Sequence, residues 1–253
     1  MTIKMPDMEV LQAAGAVAFK AGKEAERQTD DEILRMARLF TSRDKVWVKL
    51  GGPEDGASLK ELYHQGFKRF VAPLVETSFA VRKFLEAVRW ATGGRPELLE
   101  LSLNLESVSA YHYRRTILSA PETALIGKIN VGKTDLGLSI GKSADDDEVL
   151  AMAAAIVDEA RAHGKRTGVG GSINMNMIEK VLDVVQPDEV ETRHVVMEVA
   201  AMRDPVASVR TALEFEQALL AAEIEYYNFN VGELKKRQAG LAKRFAPGGV
   251  HAA

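Results

Sequence analysis

Short apolar runs rich in β-branched residues alternate along the chain with longer segments in which apolar residues recur every three or four positions. The short runs have the length of strands, and the longer segments have the period of amphipathic helices. Seven runs stand out, at residues 16–19, 46–50, 70–74, 99–105, 124–129, 167–169 and 189–195. A regular alternation of strand and helix predicts a parallel sheet.

The predicted fold is a (β/α)8 TIM-type barrel, because several strands are apolar on both faces and a chain of 253 residues matches the roughly 250 typical of that fold. Seven strands are visible where eight are needed. We place the missing one at the N-terminus, with residues 1–6 as a degenerate first strand and 8–14 as the first helix. Residues 1–205 then form the barrel domain.

After Pro205 the pattern changes to one long apolar seam with helical spacing. Asn230 and Glu233 have the spacing of a capping box, which predicts two helices, 206–229 and 231–245. Their apolar face is too large to leave in water, so we expect residues 206–246 to pack on a neighbouring subunit of a homo-oligomer, or on the barrel's own end. Residues 247–253 are predicted to be a disordered tail.

Charge and composition narrow the class of partner. The net charge is -3, with 33 basic and 36 acidic residues interspersed, so the chain lacks the basic patch expected of a protein that binds nucleic acid or an anionic membrane. Signal-like and membrane-spanning segments are absent from the pattern, which predicts a cytoplasmic protein with small-molecule partners. Because there is no cysteine, a metal here must bind oxygen or imidazole ligands.

Residues 127–134 read Gly-Lys-Ile-Asn-Val-Gly-Lys-Thr, which matches the P-loop pattern of nucleotide hydrolases. A P-loop needs a flexible loop followed by a helix. Ile129 and Val131 are stiff, strand-forming residues, and Gly137 and Gly141 follow where a helix should begin. The Walker-B-like string at 155–159 lies in a helical pattern. A nucleotide site is therefore the weaker interpretation.

Polar residues follow the apolar runs, at the end of the barrel where (β/α)-barrel sites form. They are Lys20, Glu24, Glu26, Lys49, Glu76, Asn104, Glu106, Lys133, Thr134, Asp135, Gly170, Gly171, Ser172, Arg193 and His194. Glu106 and Asp135 end neighbouring strands, about 4.8 Å apart in a parallel sheet. Two carboxylates at that separation can share Mg²⁺ or Mn²⁺, or another divalent cation, and leave positions for water and a chelating 2-oxo acid. Each carboxylate could instead form an ordinary salt bridge.

Four segments, in order and spacing, resemble the HpcH/HpaI aldolase and citrate lyase beta-subunit family: Val-Lys-Leu-Gly-Gly-Pro (48–53), Phe-Val-Ala-Pro-Leu-Val-Glu-Thr (70–77), Leu-Asn-Leu-Glu-Ser (103–107) and Gly-Lys-Thr-Asp-Leu-Gly-Leu-Ser-Ile-Gly (132–141). The resemblance covers residues 16–193. It implies that Glu106 and Asp135 bind the catalytic magnesium or manganese. It also implies that the turn Gly132, Lys133 and Thr134 holds a substrate carboxylate.

The chain departs from this family at two positions. The family commonly has an arginine where this chain has Lys49, and a lysine supplies the charge without the bidentate fork. A histidine that some members place after the first strand is missing, so Lys20, Glu24 or Glu26 would have to move the proton.

Gly171 and Ser172 are predicted to bind substrate, because a small residue there would let the substrate approach the backbone. Each of these residues also has a purely structural interpretation. The lysines could be ion-pair partners, Glu24 and Glu26 solvated acids, and Gly171 with Ser172 only a tight turn.

The leading functional hypothesis is a metal-dependent aldolase or lyase that makes or breaks a C–C bond through the enolate of a short 2-oxo acid. A condensation of the citrate synthase or acyl-CoA (citryl or malyl) lyase type is a second option. Other hypotheses are a Schiff-base aldolase using Lys49 or Lys20 and a non-catalytic barrel subunit.

Overall fold

The computed structural model describes residues 8–38, 43–226 and 231–245. Eight strands form one closed barrel in chain order. They are β1 (Ala16–Gly22), β2 (Val46–Lys49), β3 (Arg69–Ala72), β4 (Glu100–Asn104), β5 (Lys128–Gly132), β6 (Arg166–Gly170), β7 (Glu189–Glu191) and β8 (Val195–Glu198). The predicted TIM-type barrel is confirmed.

Ten α-helices accompany these strands within the described residues. They are α1 (Met8–Ala13), α2 (Asp30–Ala37), α3 (Gly56–His64), α4 (Ser78–Ala91), α5 (Val108–Leu118), α6 (Lys133–Leu138), α7 (Asp147–Ala162), α8 (Ile178–Val185), α9 (Pro205–Tyr226) and α10 (Gly232–Ala242). Buried side chains such as Phe67, Phe70 and Phe84 fill the space between strands and helices. None of these helices is both long and apolar enough to cross a bilayer.

The position predicted for the eighth strand is wrong. Strands β1 to β7 run parallel, whereas β8 lies antiparallel between β7 and β1 and closes the barrel. The run 189–195 is a strand followed by a turn: Thr192 donates its N–H to the carbonyl of Val195 at 3.0 Å. A hairpin needs no connecting helix, so the eighth unit left no helical pattern to recognise. Residues 1–6 lie outside the described residues.

The C-terminal helices contact their own barrel. Helix α9 packs against α8 and α1 and so completes the helical ring, and α10 packs on α9. Leu241 in α10 is buried, and Arg237 donates a hydrogen bond to the carbonyl of Glu26. Of the two alternatives, packing on the chain's own barrel agrees with these contacts. Contact with a second subunit stays a prediction. Asn230 and the tail 247–253 lie outside the described residues.

Most residues of the P-loop match, 127–134, lie in strand β5. Ile129 and Val131 are buried within β5, and the Walker-B-like string lies inside α7, as predicted. The prediction that no helix begins at this point is wrong, because the short helix α6 begins at Lys133 directly after β5. Since no loop separates β5 from α6, no flexible segment is available there to wrap a phosphate chain.

A cluster of charged side chains lies inside the barrel. Lys128 is 3% exposed and contacts the carboxylates of Glu189 and Glu191, and Glu191 also binds the ammonium of Lys20 at 2.7 Å. Burial raises the pKa of Glu191, but the charges of Lys128 and Lys20 outweigh burial and lower it from 4.5 to about 2.

The pKa of Glu191 predicts acid sensitivity. The unfolded chain takes up this proton first, so the free energy of unfolding should fall as the pH drops from about 4.5 to about 2. Thermal unfolding midpoints measured from pH 7 to pH 2 should fall less steeply for Glu191→Gln than for the wild type. Glu198→Gln, which alters a half-exposed ion pair with Arg166, is the control and should follow the wild-type slope. Parallel curves for all three proteins would contradict the role of Glu191.

Candidate active site

Glu106 is held rigidly at the carboxyl end of the barrel. It follows β4 and directly precedes Ser107, whose hydroxyl accepts the Ala110 N–H at 3.2 Å and caps α5. The Glu106 carboxylate is 1% exposed and accepts hydrogen bonds from the Leu74 N–H at 3.0 Å and the Asn104 amide at 2.9 Å. One carboxylate is thereby fixed in orientation before any ligand binds.

Gly132 leaves the space that Glu106 occupies. A Cβ at this position would lie 2.3 Å from Oε2 of Glu106, although the backbone conformation of Gly132 suits any residue. The glycine at this position of the apparent P-loop is therefore explained by the Glu106 side chain, which follows the neighbouring strand β4.

We expect Gly132→Ala to displace the Glu106 carboxylate and weaken divalent metal binding at least about tenfold, the loss typical of disturbing a ligand's support. Gly52→Ala is a matched control, because a Cβ there meets no atom within 4 Å. Titration of both variants with Mn²⁺ checks this. Equal affinities would contradict the role of Gly132 in placing the Glu106 carboxylate for the metal.

Asp135 lies in the first turn of α6, which follows β5, and β5 pairs with the strand β4 that precedes Glu106. The Asp135 carboxylate forms no hydrogen bond or ion pair with any residue in the described ranges. Burial and the nearby charge of Glu106 raise the pKa of Asp135 from 3.8 to about 6. Two carboxylates thus face one another with too little positive charge to neutralise both.

Lys49 ends β2 and is 9% exposed. Its ammonium lies 2.8 Å from the Glu24 carboxylate and 3.4 Å from Glu106. Burial acts to lower the pKa of Lys49, but the charges of Glu106 and Glu24 outweigh it and hold that pKa above its ordinary value. Lys49 is therefore a permanent cation at neutral pH.

The candidates for proton transfer lie near Lys49 but differ in their surroundings. The Lys20 ammonium binds Glu191. Glu26 is buried, and although burial raises its pKa, Arg193 and other nearby cations lower it below its usual value. Glu26 therefore stays ionised, and its carboxylate lies 3.4 Å from the Arg193 guanidinium.

The structure supports only part of the predicted carboxylate-binding turn of Gly132, Lys133 and Thr134. Gly171 approaches the backbone nitrogens of Lys133 and Thr134 so closely that a Cβ would lie 2.8 and 2.5 Å from them. The Thr134 and Ser172 hydroxyls are 3.0 Å apart. The Lys133 side chain, however, is fully buried and its ammonium binds Asp145 at 2.6 Å. Only a glycine at 171 therefore fits against the first N–H groups of α6, and the Lys133 charge is held by Asp145.

These groups surround one cavity of about 200 Å³ at the carboxyl end of the barrel. Its lining includes Lys20, Glu26, Lys49, Glu106, Thr134, Asp135, Gly171, Ser172, Arg193 and Arg244. The cavity is smaller than the roughly 300–1,000 Å³ of drug-sized ligand pockets, so it suits a small metabolite. Sequence reasoning missed Arg244, which reaches the cavity from the segment after α10.

A hard divalent cation fits the donors of this cavity. No group of three or more His, Cys, Asp or Glu residues arranged for a metal occurs in the described part of the chain. Glu106 and Asp135 supply two carboxylates, and the buried side-chain oxygens of Asn104 and Asn130 have no hydrogen-bond partner there. Mg²⁺ is commonly bound by one or two carboxylates together with water and substrate oxygens. Asn130 was also missed from the sequence, because its lumen position inside β5 depends on the strand register.

A second cavity, of about 480 Å³, opens at the opposite end of the barrel. Its charged groups are already paired, for example Arg69 with Glu100 and Arg166 with Glu198. Since barrel enzymes form their sites at the carboxyl ends of the strands, the cavity around Glu106 and Asp135 is the candidate site.

Comparison with solved structures gives the same fold at low sequence identity. The HpcH/HpaI aldolase of Desulfitobacterium hafniense DCB-2 superposes with a TM-score of 0.56 and 18% identity, covering 91% of this chain and 92% of that one. Citrate synthase SbnG gives 0.54 and 16%, covering 87% and 91%. The citrate lyase beta subunit of M. tuberculosis, complexed with oxaloacetate and magnesium, gives 0.53 and 13%, covering 79% and 98%.

No family model matches the sequence, and no curated protein matches it either. The likeness to solved structures therefore shows the barrel fold, while function has to be argued from the site.

Proposed function

We propose that this chain is a divalent-metal-dependent carbon–carbon lyase or aldolase of the HpcH/HpaI aldolase and citrate lyase beta-subunit family, acting on a short 2-oxo acid. The observation that carries the proposal is the pair Glu106 and Asp135, whose charges are incompletely neutralised at adjacent strand ends in a small cavity. The structural neighbours, which include an aldolase and a magnesium-bound citrate lyase subunit, support the same chemistry.

Glu106 and Asp135 would hold Mg²⁺ or Mn²⁺, which when bound polarises the keto oxygen of the substrate. Lys49, fixed by Glu24 and Glu106, supplies a second positive charge where negative charge develops on that oxygen. The N–H groups at the start of α6 would bind the substrate carboxylate, since Thr134 lines the cavity beside Gly171, with the Thr134 and Ser172 hydroxyls 3.0 Å apart next to them.

The proton-transfer role falls to Glu24, Glu26 or Lys20. Glu26 lines the cavity as a carboxylate, while Glu24 reaches it through Lys49. Comparison of the pH–rate profiles of Glu24→Gln and Glu26→Gln separates them, because only loss of the base removes the acidic limb of the profile.

The Schiff-base alternative is weaker on electrostatic grounds. A lysine nucleophile needs a lowered pKa. Lys49 has the opposite shift, because Glu106 and Glu24 stabilise its charged form.

Turnover of pyruvate with short aldehydes, and cleavage of oxaloacetate and of aldol adducts of pyruvate, test the proposal. We expect activity that a strong chelator abolishes and that Mg²⁺ or Mn²⁺ restores. Turnover that resists the chelator would refute metal dependence. Tight metal binding without turnover on 2-oxo acids and acyl-CoA esters would favour a non-catalytic subunit.

A further inference from the structure

The segment after α10 brings a cation into the candidate active site. Arg244 lines the cavity that contains Glu106 and Asp135, and it also lines an adjoining cavity of about 190 Å³ beneath α10. Helix α10, which leads into this segment, is held against the barrel, since Leu241 is buried in the core and Arg237 donates a hydrogen bond to the Glu26 carbonyl. Arg244 therefore follows directly on an anchored helix.

The charge of Arg244 lacks a dedicated partner. Its guanidinium forms no hydrogen bond or ion pair with residues 8–38, 43–226 or 231–245. The acid that acts on the pKa of Arg244 is Glu216, whose carboxylate already accepts the Thr192 hydroxyl at 2.7 Å and the His194 N–H at 2.6 Å. Burial lowers the pKa of Arg244, and Arg193 lowers it further against the opposing effect of Glu216. An anion in the cavity would relieve this unfavourable environment.

The cavity thus has two poles of opposite charge. Glu106 and Asp135 form the acidic pole, which Lys49 neutralises only in part. Arg244 forms the basic pole together with Arg193, whose charge is shared with Glu26. A ligand that carries a metal-chelating group at one end and an anion at the other complements both poles.

We propose that Arg244 binds a second carboxylate of the substrate, so that the site selects short 2-oxo dicarboxylic acids over 2-oxo monocarboxylic acids. This inference rests on the proposed function, which assigns the keto oxygen to the metal pole and the first carboxylate to the N–H groups at the start of α6. A guanidinium offers two parallel N–H donors that match a carboxylate, a geometry Lys49 cannot provide. The volume of about 200 Å³ limits the acid to a short chain.

The test compares two four-carbon acids, oxaloacetate and 2-oxobutyrate, which differ in whether the distal group is a carboxylate or a methyl. Binding is measured by calorimetry on the whole chain with saturating Mg²⁺, using freshly dissolved acid. We expect the wild type to bind oxaloacetate about 10- to 100-fold more tightly, the range for a hydrogen bond to a charged group. Arg244→Gln should lose that preference and keep its affinity for 2-oxobutyrate within about threefold. Arg244→Lys should be intermediate.

Lys243→Gln is the matched control, because this neighbouring cation is exposed and does not line the cavity. Its affinity for both acids should equal that of the wild type. Equal losses for both acids in Arg244→Gln, or a fall in its melting temperature that accounts for the loss, would overturn the role of Arg244 and leave the proposed function intact. If the wild type bound neither acid with Mg²⁺ present, both proposals would fail together.

Discussion

Replacing Asp135 by Asn is expected to lower kcat/KM at least about 10³-fold and to abolish tight Mn²⁺ binding. The substitution keeps the size of the side chain and removes one of two carboxylate ligands. A metal bound to the reacting oxygen contributes several kcal/mol of transition-state stabilisation, and each 1.36 kcal/mol corresponds to about tenfold in rate. Steady-state kinetics with a 2-oxo acid and a Mn²⁺ titration measure the two losses.

The same substitution separates metal loss from unfolding. Because the pKa of Asp135 is raised from 3.8 to about 6, its ionisation destabilises the folded metal-free protein as the pH rises through that range. Metal-free Asp135→Asn at pH 8 should therefore melt at or above the wild-type temperature. Asp158→Asn, a chemically identical change at an exposed position of α7, should leave activity unchanged. Normal activity in Asp135→Asn would exclude Asp135 as a metal ligand.

The closeness of Glu106 and Asp135 could be predicted from the sequence because it depends on short-range information. Apolar runs locate β4 and β5, sequential strands in an alternating pattern pair in parallel, and polar residues after them meet at one edge. Glu106 and Asp135 follow from those three steps. The failure of the P-loop match could be predicted in the same way, because Ile129 and Val131 are strand-forming residues and lie buried in β5.

The features that the sequence did not predict depend on contacts between segments that are distant in the chain. The antiparallel β8 is specified by the turn at Thr192 and by pairing with β1, which lies almost the whole chain away. Lys133 follows a strand end in sequence, but the distant acid Asp145 turns its ammonium away from the cavity. Arg244 enters the site only because α9 and α10 fold back over the barrel, a packing that the apolar seam left open between two alternatives.

Lys49→Met is expected to lower kcat by about 10²- to 10³-fold, the loss typical of removing one preorganised donor to a developing oxyanion. Lys49→Arg should retain activity within about tenfold, because it keeps the charge and supplies the residue common in the resembled family. The Met variant should also lose stability, since the buried Glu106 loses its nearest cation. Removal of one partner from a buried pair costs about 3–5 kcal/mol. Two hydrogen bonds to Glu106 remain, which places the expected loss near the lower end.

The Lys49 variants also decide between an electrostatic and a covalent mechanism. An arginine cannot form a Schiff base, so activity in Lys49→Arg would exclude Lys49 as the covalent nucleophile and agree with its charge acting on the oxyanion. Borohydride added during turnover should then leave the mass of the wild-type protein unchanged. A trapped adduct on Lys49, with an inactive Arg variant, would instead establish the covalent route and require that substrate binding lower a pKa that Glu106 and Glu24 hold up in the free protein. Because that reversal demands separation of Lys49 from both carboxylates, the electrostatic role requires the smaller rearrangement of the site.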